Sequence, residues 1–102
     1  MIHVVALITA KPGQRAQVLD AFQANRPAVL AEQGCIEYQA VMDAAGLPPS
    51  RGSLGEDAFM VIEKWATLTD LQAHAKSPHM AAYGEQTRDW VAGKTIHVLQ
   101  SA

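Results

Sequence analysis

Apolar and polar residues recur along this chain with two different periods, and these periods predict its strands and helices. Residues 2–10 are almost continuously apolar and rich in β-branched side chains, which indicates a strand buried on both faces. Residues 35–42 and 58–65 alternate with a period of two, so each predicts a further strand, and residues 94–100 predict the last. The strand over 58–65 places four side chains on one face: Phe59, Val61, Glu63 and Trp65.

A longer period of three to four residues predicts the helices. It runs through residues 13–32, with a kink expected at Pro27 and an end at Gly34. After the third strand, Thr67 or Thr69 is expected to cap a short helix. Two further expectations concern the next helix: Ser77-Pro78 starts it, with Pro at its first position, and it runs to about Trp90 until Gly93 stops it.

The predicted order of elements is β-α-β-β-α-α-β, within a single domain over residues 1–102. Right-handed crossovers through the helices arrange these strands as a four-stranded antiparallel sheet with helices on one face, the ferredoxin-like α+β fold. Residues 43–57 are rich in Gly, Pro and Ser and predict a long loop, of the kind that either covers a binding site or forms a surface insertion. The other sheet face carries Met60 and Ile62, and an apolar face of this kind predicts a homodimer packed sheet to sheet.

Composition narrows the classes of function. The net charge is -2 and the basic residues occur singly, which argues against nucleic-acid binding. No apolar run is long enough for a membrane span or a signal-peptide core, so we expect a cytoplasmic protein. Cys35 is the only cysteine and excludes an intrachain disulfide; without a local base it is predicted to be a small buried hydrophobe.

Cofactor motifs are missing from the sequence. It contains neither a G-x-G-x-x-G stretch nor a Walker motif, so neither a dinucleotide nor ATP is indicated. His74 and His79 are five residues apart across a helix break, which is not the spacing of a helical zinc pair, while His3 and His97 lie on terminal strands that are expected to be neighbours. We therefore expect no metal and no cofactor.

Glu63 and Trp65 are the most informative polar and aromatic residues. A carboxylate among apolar neighbours is costly to bury unpaired, so Glu63 either ends its strand in solvent, faces a water-filled pocket or has a partner such as Arg26, Arg88 or His74. Trp65 offers a flat face for an aromatic ligand, or else packs in the core. The helices that cover this face carry His74, Tyr83 and Trp90, which would complete a pocket with a proton-transfer imidazole.

Several stretches of the chain resemble the antibiotic biosynthesis monooxygenase family, and within it the bacterial quinol monooxygenases. The stretches cover nearly the whole length, and the E-x-W and H-x-x-S-P-H patterns are the most specific for the family. The matching residues are Thr9 to Gly13, Gly34 to Tyr38, Val61 to Trp65, Leu71 to Tyr83 and Ile96 to Gln100.

The resemblance implies a dimeric α/β barrel of two ferredoxin-like subunits and an oxygenase that uses neither flavin, haem nor metal. In such enzymes a deprotonated quinol or polycyclic phenol reacts directly with oxygen. The resemblance implies His74 and Glu63 as catalytic residues, with His74 as proton acceptor and Glu63 as an orienting group. It implies five substrate-binding residues: Trp65, Tyr83, His79, Met80 and Phe59. The first strand lacks the Asn of the haem-degrading relatives, which argues against haem degradation.

The resemblance and the residues together leave three candidate functions. The first is a cofactor-independent monooxygenase acting on a small aromatic substrate and oxygen. The second is a non-catalytic module that binds small aromatic ligands or serves a stress response, and the third is an isomerase of a small carbonyl compound. A shared fold hosts many functions, so the residues of the site have to decide among them.

Overall fold

A computed structural model describes residues 1–46, 48 and 52–102 of the chain. Four antiparallel strands form one sheet in the order β2-β3-β1-β4, with three helices, which confirms the predicted ferredoxin-like α+β fold. Residues 47 and 49–51 of the predicted loop over 43–57 lie outside the described part. The elements are β1 (Ile2–Ala10), α1 (Arg15–Leu30), β2 (Cys35–Val41), β3 (Ala58–Trp65), α2 (Leu68–Ala75), α3 (Pro78–Thr87) and β4 (Val91–Gln100).

Side chains that point toward the helices form the core. Burial alternates along β3, and Phe59, Val61, Glu63 and Trp65 all lie on the covered face, as the period of two predicted. The aromatic rings interlock there: Phe22 of α1 stacks on Tyr38 of β2, with ring centroids 4.8 Å apart. The largest fully buried side chains are Trp65, Phe22, Phe59, Val4, Val18 and Val29.

Short polar side chains start the second and third helices. The hydroxyl of Thr67 accepts a hydrogen bond of 3.1 Å from the backbone N–H of Asp70 at the start of α2. Ser77 caps α3 in the same way, and Pro78 occupies its first turn, as predicted. The two caps set the residues at which these short helices begin. Helix α2 carries His74, and α3 forms the roof of the cavity described below.

The ends of three predicted elements are wrong. Helix α1 begins at Arg15 and not at Gly13, because Gly13 adopts a positive φ of 77° in a turn and its N–H donates to the Asp57 carboxylate at 3.0 Å. Helix α3 ends at Thr87, and β4 begins at Val91 instead of Lys94. Gly93, predicted as a helix stop, pairs with Thr9 inside the sheet, because pairing with β1 extends β4 toward the helix.

Within the described residues, the second face of the sheet carries no helix. Val5, Leu7, Met60 and Ile62 lie side by side on it and are half-buried, and Leu99 of the edge strand β4 is exposed. His3 and His97 lie on this face as well, since Val5 pairs with His97. Among the residues described, no helix combines the length and the apolarity that crossing a bilayer requires.

Candidate functional site

A cavity of about 300 Å³ lies between the covered face of the sheet and α3. This volume is at the lower end of the range for small-molecule sites, and the walls are mostly apolar. The floor comes from β3, β1 and β4, the roof from α3, and Phe22 and Tyr38 close one side. The lining residues are Ala6, Ile8, Phe22, Tyr38, Val61, Glu63, Met80, Tyr83, Gly84, Thr87, Arg88, Val91, Lys94 and Ile96.

Of the seven catalytic and substrate-binding residues predicted from the sequence, three line this cavity: Glu63, Met80 and Tyr83. The other four do not line it. Trp65 and Phe59 are 0% exposed and belong to the core, so neither touches a ligand in the cavity unless the core opens. His74 and His79 lie behind the wall, on the far side of Glu63.

Glu63 is the one acidic side chain among the lining residues that are described. Its Oε1 accepts a hydrogen bond of 2.9 Å from the indole N–H of Trp65. The same oxygen lies 4.0 Å from Nε2 of His74, an ion-pair distance beyond hydrogen-bond length. Burial raises the pKa of Glu63, and the indole hydrogen bond and the nearby imidazole only partly offset it. The group is therefore a stronger base than an ordinary carboxylate, and its partner is His74 and not Arg26 or Arg88.

His74 is held between two carboxyl groups. Its Nδ1 lies 2.8 Å from Oε2 of Glu32, so an ionised Glu32 requires a proton on Nδ1 and leaves Nε2 to face Glu63. The indole of Trp65 lies against the imidazole with ring centroids 4.6 Å apart, and Tyr38 meets it edge-on at 5.6 Å. These contacts fix both the tautomer and the orientation of the buried ring.

The carboxylate of Glu32 also contacts His79. Nε2 of His79 lies 2.9 Å from the same Oε2 and 3.3 Å from the hydroxyl of Ser77. His79 is the most exposed member of this set, with 30% of its side chain open to solvent, against 5% for His74. The contacts therefore run from the cavity wall at Glu63 through His74 and Glu32 to the surface at His79.

Glu32, His74 and His79 also form a cluster with metal-ligand character. Each offers one ligand atom, and the three atoms lie within 4.8 Å of one another, a proximity that the chain spacing of the two histidines did not indicate. Two imidazoles and a carboxylate suit zinc, but atoms around a tetrahedral zinc stand about 3.3 Å apart. Here Oε2 of Glu32 lies 2.8 Å from Nδ1 of His74 and 2.9 Å from Nε2 of His79, so the cluster is a hydrogen-bonded network. A bound ion would have to move these atoms apart.

The phenols and the thiol near the cavity keep their protons at neutral pH. Burial raises the pKa of Tyr83 to about 12 and raises the pKa of Tyr38 further, so both phenols keep their protons at neutral pH. Burial, together with the charges of Glu32 and Glu63, also raises the pKa of the half-buried Cys35 thiol, which makes it a poor nucleophile. Glu63 and His74 are therefore the groups suited to accept a proton from a ligand.

Sequence reasoning missed Glu32 and Lys94, and it named Arg88 only as a possible partner of Glu63 and not as a residue of the cavity wall. Glu32 lies in the turn after α1 and meets His74 across 42 residues of chain, and no local pattern signals such a contact. Arg88 continues the row of Met80, Tyr83 and Thr87 along α3, so the helical period contained a signal for it. Lys94 was placed at the start of a strand, but only the pairing with Ile8 brings it to the cavity.

Comparison with known proteins agrees with this architecture. Residues 1–86 match the sequence profile of the family described as antibiotic biosynthesis monooxygenase. The chain is 41% identical over 103 residues to the probable quinol monooxygenase YgiN of Escherichia coli (strain K12), which covers 98% of this chain and 97% of that protein. The match to YgiN of Shigella flexneri has the same identity and coverage. Together these matches support a monooxygenase-type function.

Solved structures of similar shape show the same fold. The crystal structure of PA3566 from Pseudomonas aeruginosa superposes with a TM-score of 0.82 at 22% identity, covering 99% of this chain and 93% of that one. A conserved protein from Methanosarcina mazei Go1 gives a TM-score of 0.83 at 19% identity, with 99% and 92% covered. The family profile and the full-length relative add sequence similarity to this shared fold, and the chain therefore belongs to the antibiotic biosynthesis monooxygenase family.

Proposed function

We propose that this protein oxidises a quinol or polycyclic phenol with molecular oxygen, without flavin, haem or metal. The observation that carries the proposal is Glu63, a carboxyl group of raised pKa on the wall of a mostly apolar cavity. A phenol has to lose its proton before it reacts readily with oxygen, and a buried base of raised pKa is suited to take it. Apolar walls keep water from the reactive anion.

The proton transfer uses the groups aligned behind Glu63. Glu63 accepts the hydroxyl proton, and Nε2 of His74, 4.0 Å away, receives it after a small shift of either side chain. Glu32 stabilises the imidazolium that forms, because its carboxylate lies 2.8 Å from Nδ1. This reverses the roles that the resemblance implied: Glu63 is the acceptor, and His74 is the second group in the relay.

The electrons balance without a further reductant. One molecule of quinol and one of oxygen give one molecule of hydroxyquinone and one of water. A carbon–oxygen bond forms on the ring in place of a C–H bond, the O–O bond breaks, and the four electrons come from the quinol. One oxygen atom enters the product and the other leaves as water, so the substrate is the only electron donor required.

The remaining predicted residues receive supporting roles in this proposal. Tyr83 and Met80 contact the aromatic ring from α3, since both line the cavity. Trp65 holds the Glu63 carboxyl through its indole N–H, Phe59 packs beneath the floor, and His79 connects the relay to solvent. We also propose that two subunits pack through their open sheet faces.

Oxygen uptake by chelator-treated protein with a panel of hydroquinones tests the proposal. We expect uptake above the buffer rate and its loss, by about a hundredfold or more, in Glu63→Gln, since general-base catalysis contributes about 10²–10⁴-fold. The matched control is Glu37→Gln, which removes a glutamate from the opposite sheet face, where Glu37 pairs with Lys64. Equal rates for wild type and Glu63→Gln would refute the role of Glu63.

An isomerase of a small carbonyl compound is the second candidate. The observation that favours it is the Glu63–His74 pair itself, because a base and a relay partner move protons on a carbonyl compound equally well. The distinction is simple to measure, since an isomerase turns over at the same rate under argon. A module that only binds ligands would neither consume oxygen nor isomerise a carbonyl compound.

A further inference from the structure

The two ends of the cavity carry opposite charge. Glu63 marks one end, and Arg88 and Lys94 line the other. In the sheet, Glu63 pairs with Val4, whereas Lys94 pairs with Ile8, four residues further along the same strand. At 3.3–3.4 Å per residue, the two positions differ by about 13 Å along the strand direction.

The rise along helix α3 gives a second estimate of the distance between the two ends of the cavity. Met80, near the Glu63 end, contacts Tyr38 at 4.0 Å between its sulfur and the phenol oxygen, and Tyr38 pairs with Glu63 in the sheet. Arg88 follows Met80 by eight residues, which at 1.5 Å per residue is about 12 Å along the helix. The cavity is therefore a slot that runs along α3 between the carboxyl and the two cations.

In the part of the chain that the structure describes, neither Lys94 nor Arg88 has a strong ion pair with a carboxylate. Within the described part of the chain, no carboxylate lies within 4.0 Å of the Lys94 ammonium. Arg88 pairs with Glu85 at 3.4 Å and with Asp89 at 4.0 Å, and these partners are 69% and 90% exposed, so such pairs contribute little. Both side chains are thus available to an anionic group at this end of the slot.

We propose that the substrate is an aromatic phenol or quinol of two or more fused rings that carries an acidic group at the end opposite its reactive hydroxyl. This rests on the proposed function and narrows its substrate class. The hydroxyl faces Glu63, the rings lie between Tyr83 and the apolar floor of Ala6 and Ile96, and the carboxylate or sulfonate meets Lys94 and Arg88. The reverse orientation is disfavoured because it places two carboxylates together.

Binding under argon tests this class without requiring turnover. The probes are 2-naphthol, 2-naphthoic acid and 6-hydroxy-2-naphthoic acid, which carries both groups at opposite ends. We expect wild type to bind the hydroxy acid about threefold to tenfold more tightly than 2-naphthol, with a preference that falls as salt is added. Lys94→Gln should reduce this preference, because only Arg88 then remains to meet the acidic group, whereas the control Lys76→Gln, at an exposed lysine outside the cavity, should retain it in full.

Three results would overturn the inference. The first is a hydroxy acid that binds no better than 2-naphthol to wild type, and the second is a preference that Lys94→Gln leaves unchanged. The third is tighter binding of glycerol phosphate, added as a non-aromatic anionic probe, than of the hydroxy acid, which would indicate an anion site without an aromatic slot. Failure of the proposed function looks different: the hydroxy acid binds as expected and Lys94→Gln weakens it, yet no quinol consumes oxygen.

Discussion

At the scale of single residues, the site depends on the carboxyl group of Glu63, which lies where burial makes its charged form unfavourable. Glu63 is buried beneath the helices, and its pKa is raised because burial disfavours the charged form. An ordinary surface glutamate would be too weak a base to draw a proton from a phenol efficiently. The same burial that makes Glu63 useful therefore lowers the stability of the fold when the group ionises.

Glu63→Gln should stabilise the protein at alkaline pH and not at acidic pH. A carboxyl whose pKa is raised by folding binds its proton more tightly in the folded state, so its contribution to stability is present at low pH and is lost as pH rises through the raised pKa. The gain should appear as the pH rises through that pKa and should be largest above it. Thermal unfolding at pH 4 and pH 8 measures it, and an equal change at both pH values would contradict the assignment.

Glu32→Gln should change the tautomer of His74. The ionised carboxylate only accepts hydrogen bonds and therefore fixes the proton on Nδ1, whereas an amide can accept or donate. The ¹⁵N shifts of the imidazole in NMR report the tautomer directly, and we expect a mixture in the variant. Glu56→Gln, an exposed glutamate of the loop, is the control. An unchanged tautomer would show that the Glu32 carboxylate does not determine which nitrogen of His74 carries the proton.

At the scale of elements, helix α3 forms the roof of the cavity and contains a glycine in its middle. Gly84 lines the cavity, and a Cβ added to it would meet nothing within 4 Å. Glycine weakens a helix, so its presence in this position is not explained by the stability of α3. The missing side chain leaves room for a flat ligand against the backbone of the helix.

Gly84→Ala should therefore raise stability and lower affinity together. The helix gains about 0.5–1 kcal/mol from the replacement of a mid-helix glycine by alanine. The added methyl group extends into the cavity, so 2-naphthol should bind more weakly. Urea denaturation and fluorescence titration measure the two effects, and a gain in stability with unchanged affinity would place the ligand elsewhere.

Sequence patterns predicted the elements and one face of the site, but not the contacts between distant elements. Alternation along β3 correctly placed Glu63 with Trp65 and Phe59 on the covered face. Alternation cannot tell which residues of one face pack in the core and which line the cavity. Trp65 and Phe59 are fully buried in the core. Glu32 was missed because its position depends on how the turn after α1 packs against α2, which no local period encodes.

At the scale of the whole molecule, the open sheet face is an apolar surface that no helix among the described residues covers. Val5, Leu7, Met60 and Ile62 form its centre and remain half-exposed in one chain. A partner packed on this face would remove these side chains from water, and the hydrophobic effect favours that burial. The homodimer predicted from the sequence is therefore retained as a proposal, with this face as its interface.

Ile62→Asp should convert the dimer into monomers. A carboxylate at the centre of a packed apolar interface is unpaired and costly, so the affinity between subunits should fall by at least a hundredfold. Light scattering at micromolar concentration gives the mass. Leu68→Asp on the exposed side of α2 is the matched control and should stay dimeric. A monomeric wild type would contradict packing through the sheets.

The most direct test of the central claim is the fate of labelled oxygen. Chelator-treated protein receives a quinol as its only reductant under ¹⁸O2, and mass spectrometry follows the product. The account predicts one ¹⁸O atom in each hydroxyquinone, one O2 consumed per quinol, and loss of this product in Glu63→Gln. An unlabelled quinone with hydrogen peroxide, or turnover only after a metal is added back, would contradict a cofactor-independent monooxygenase built on Glu63.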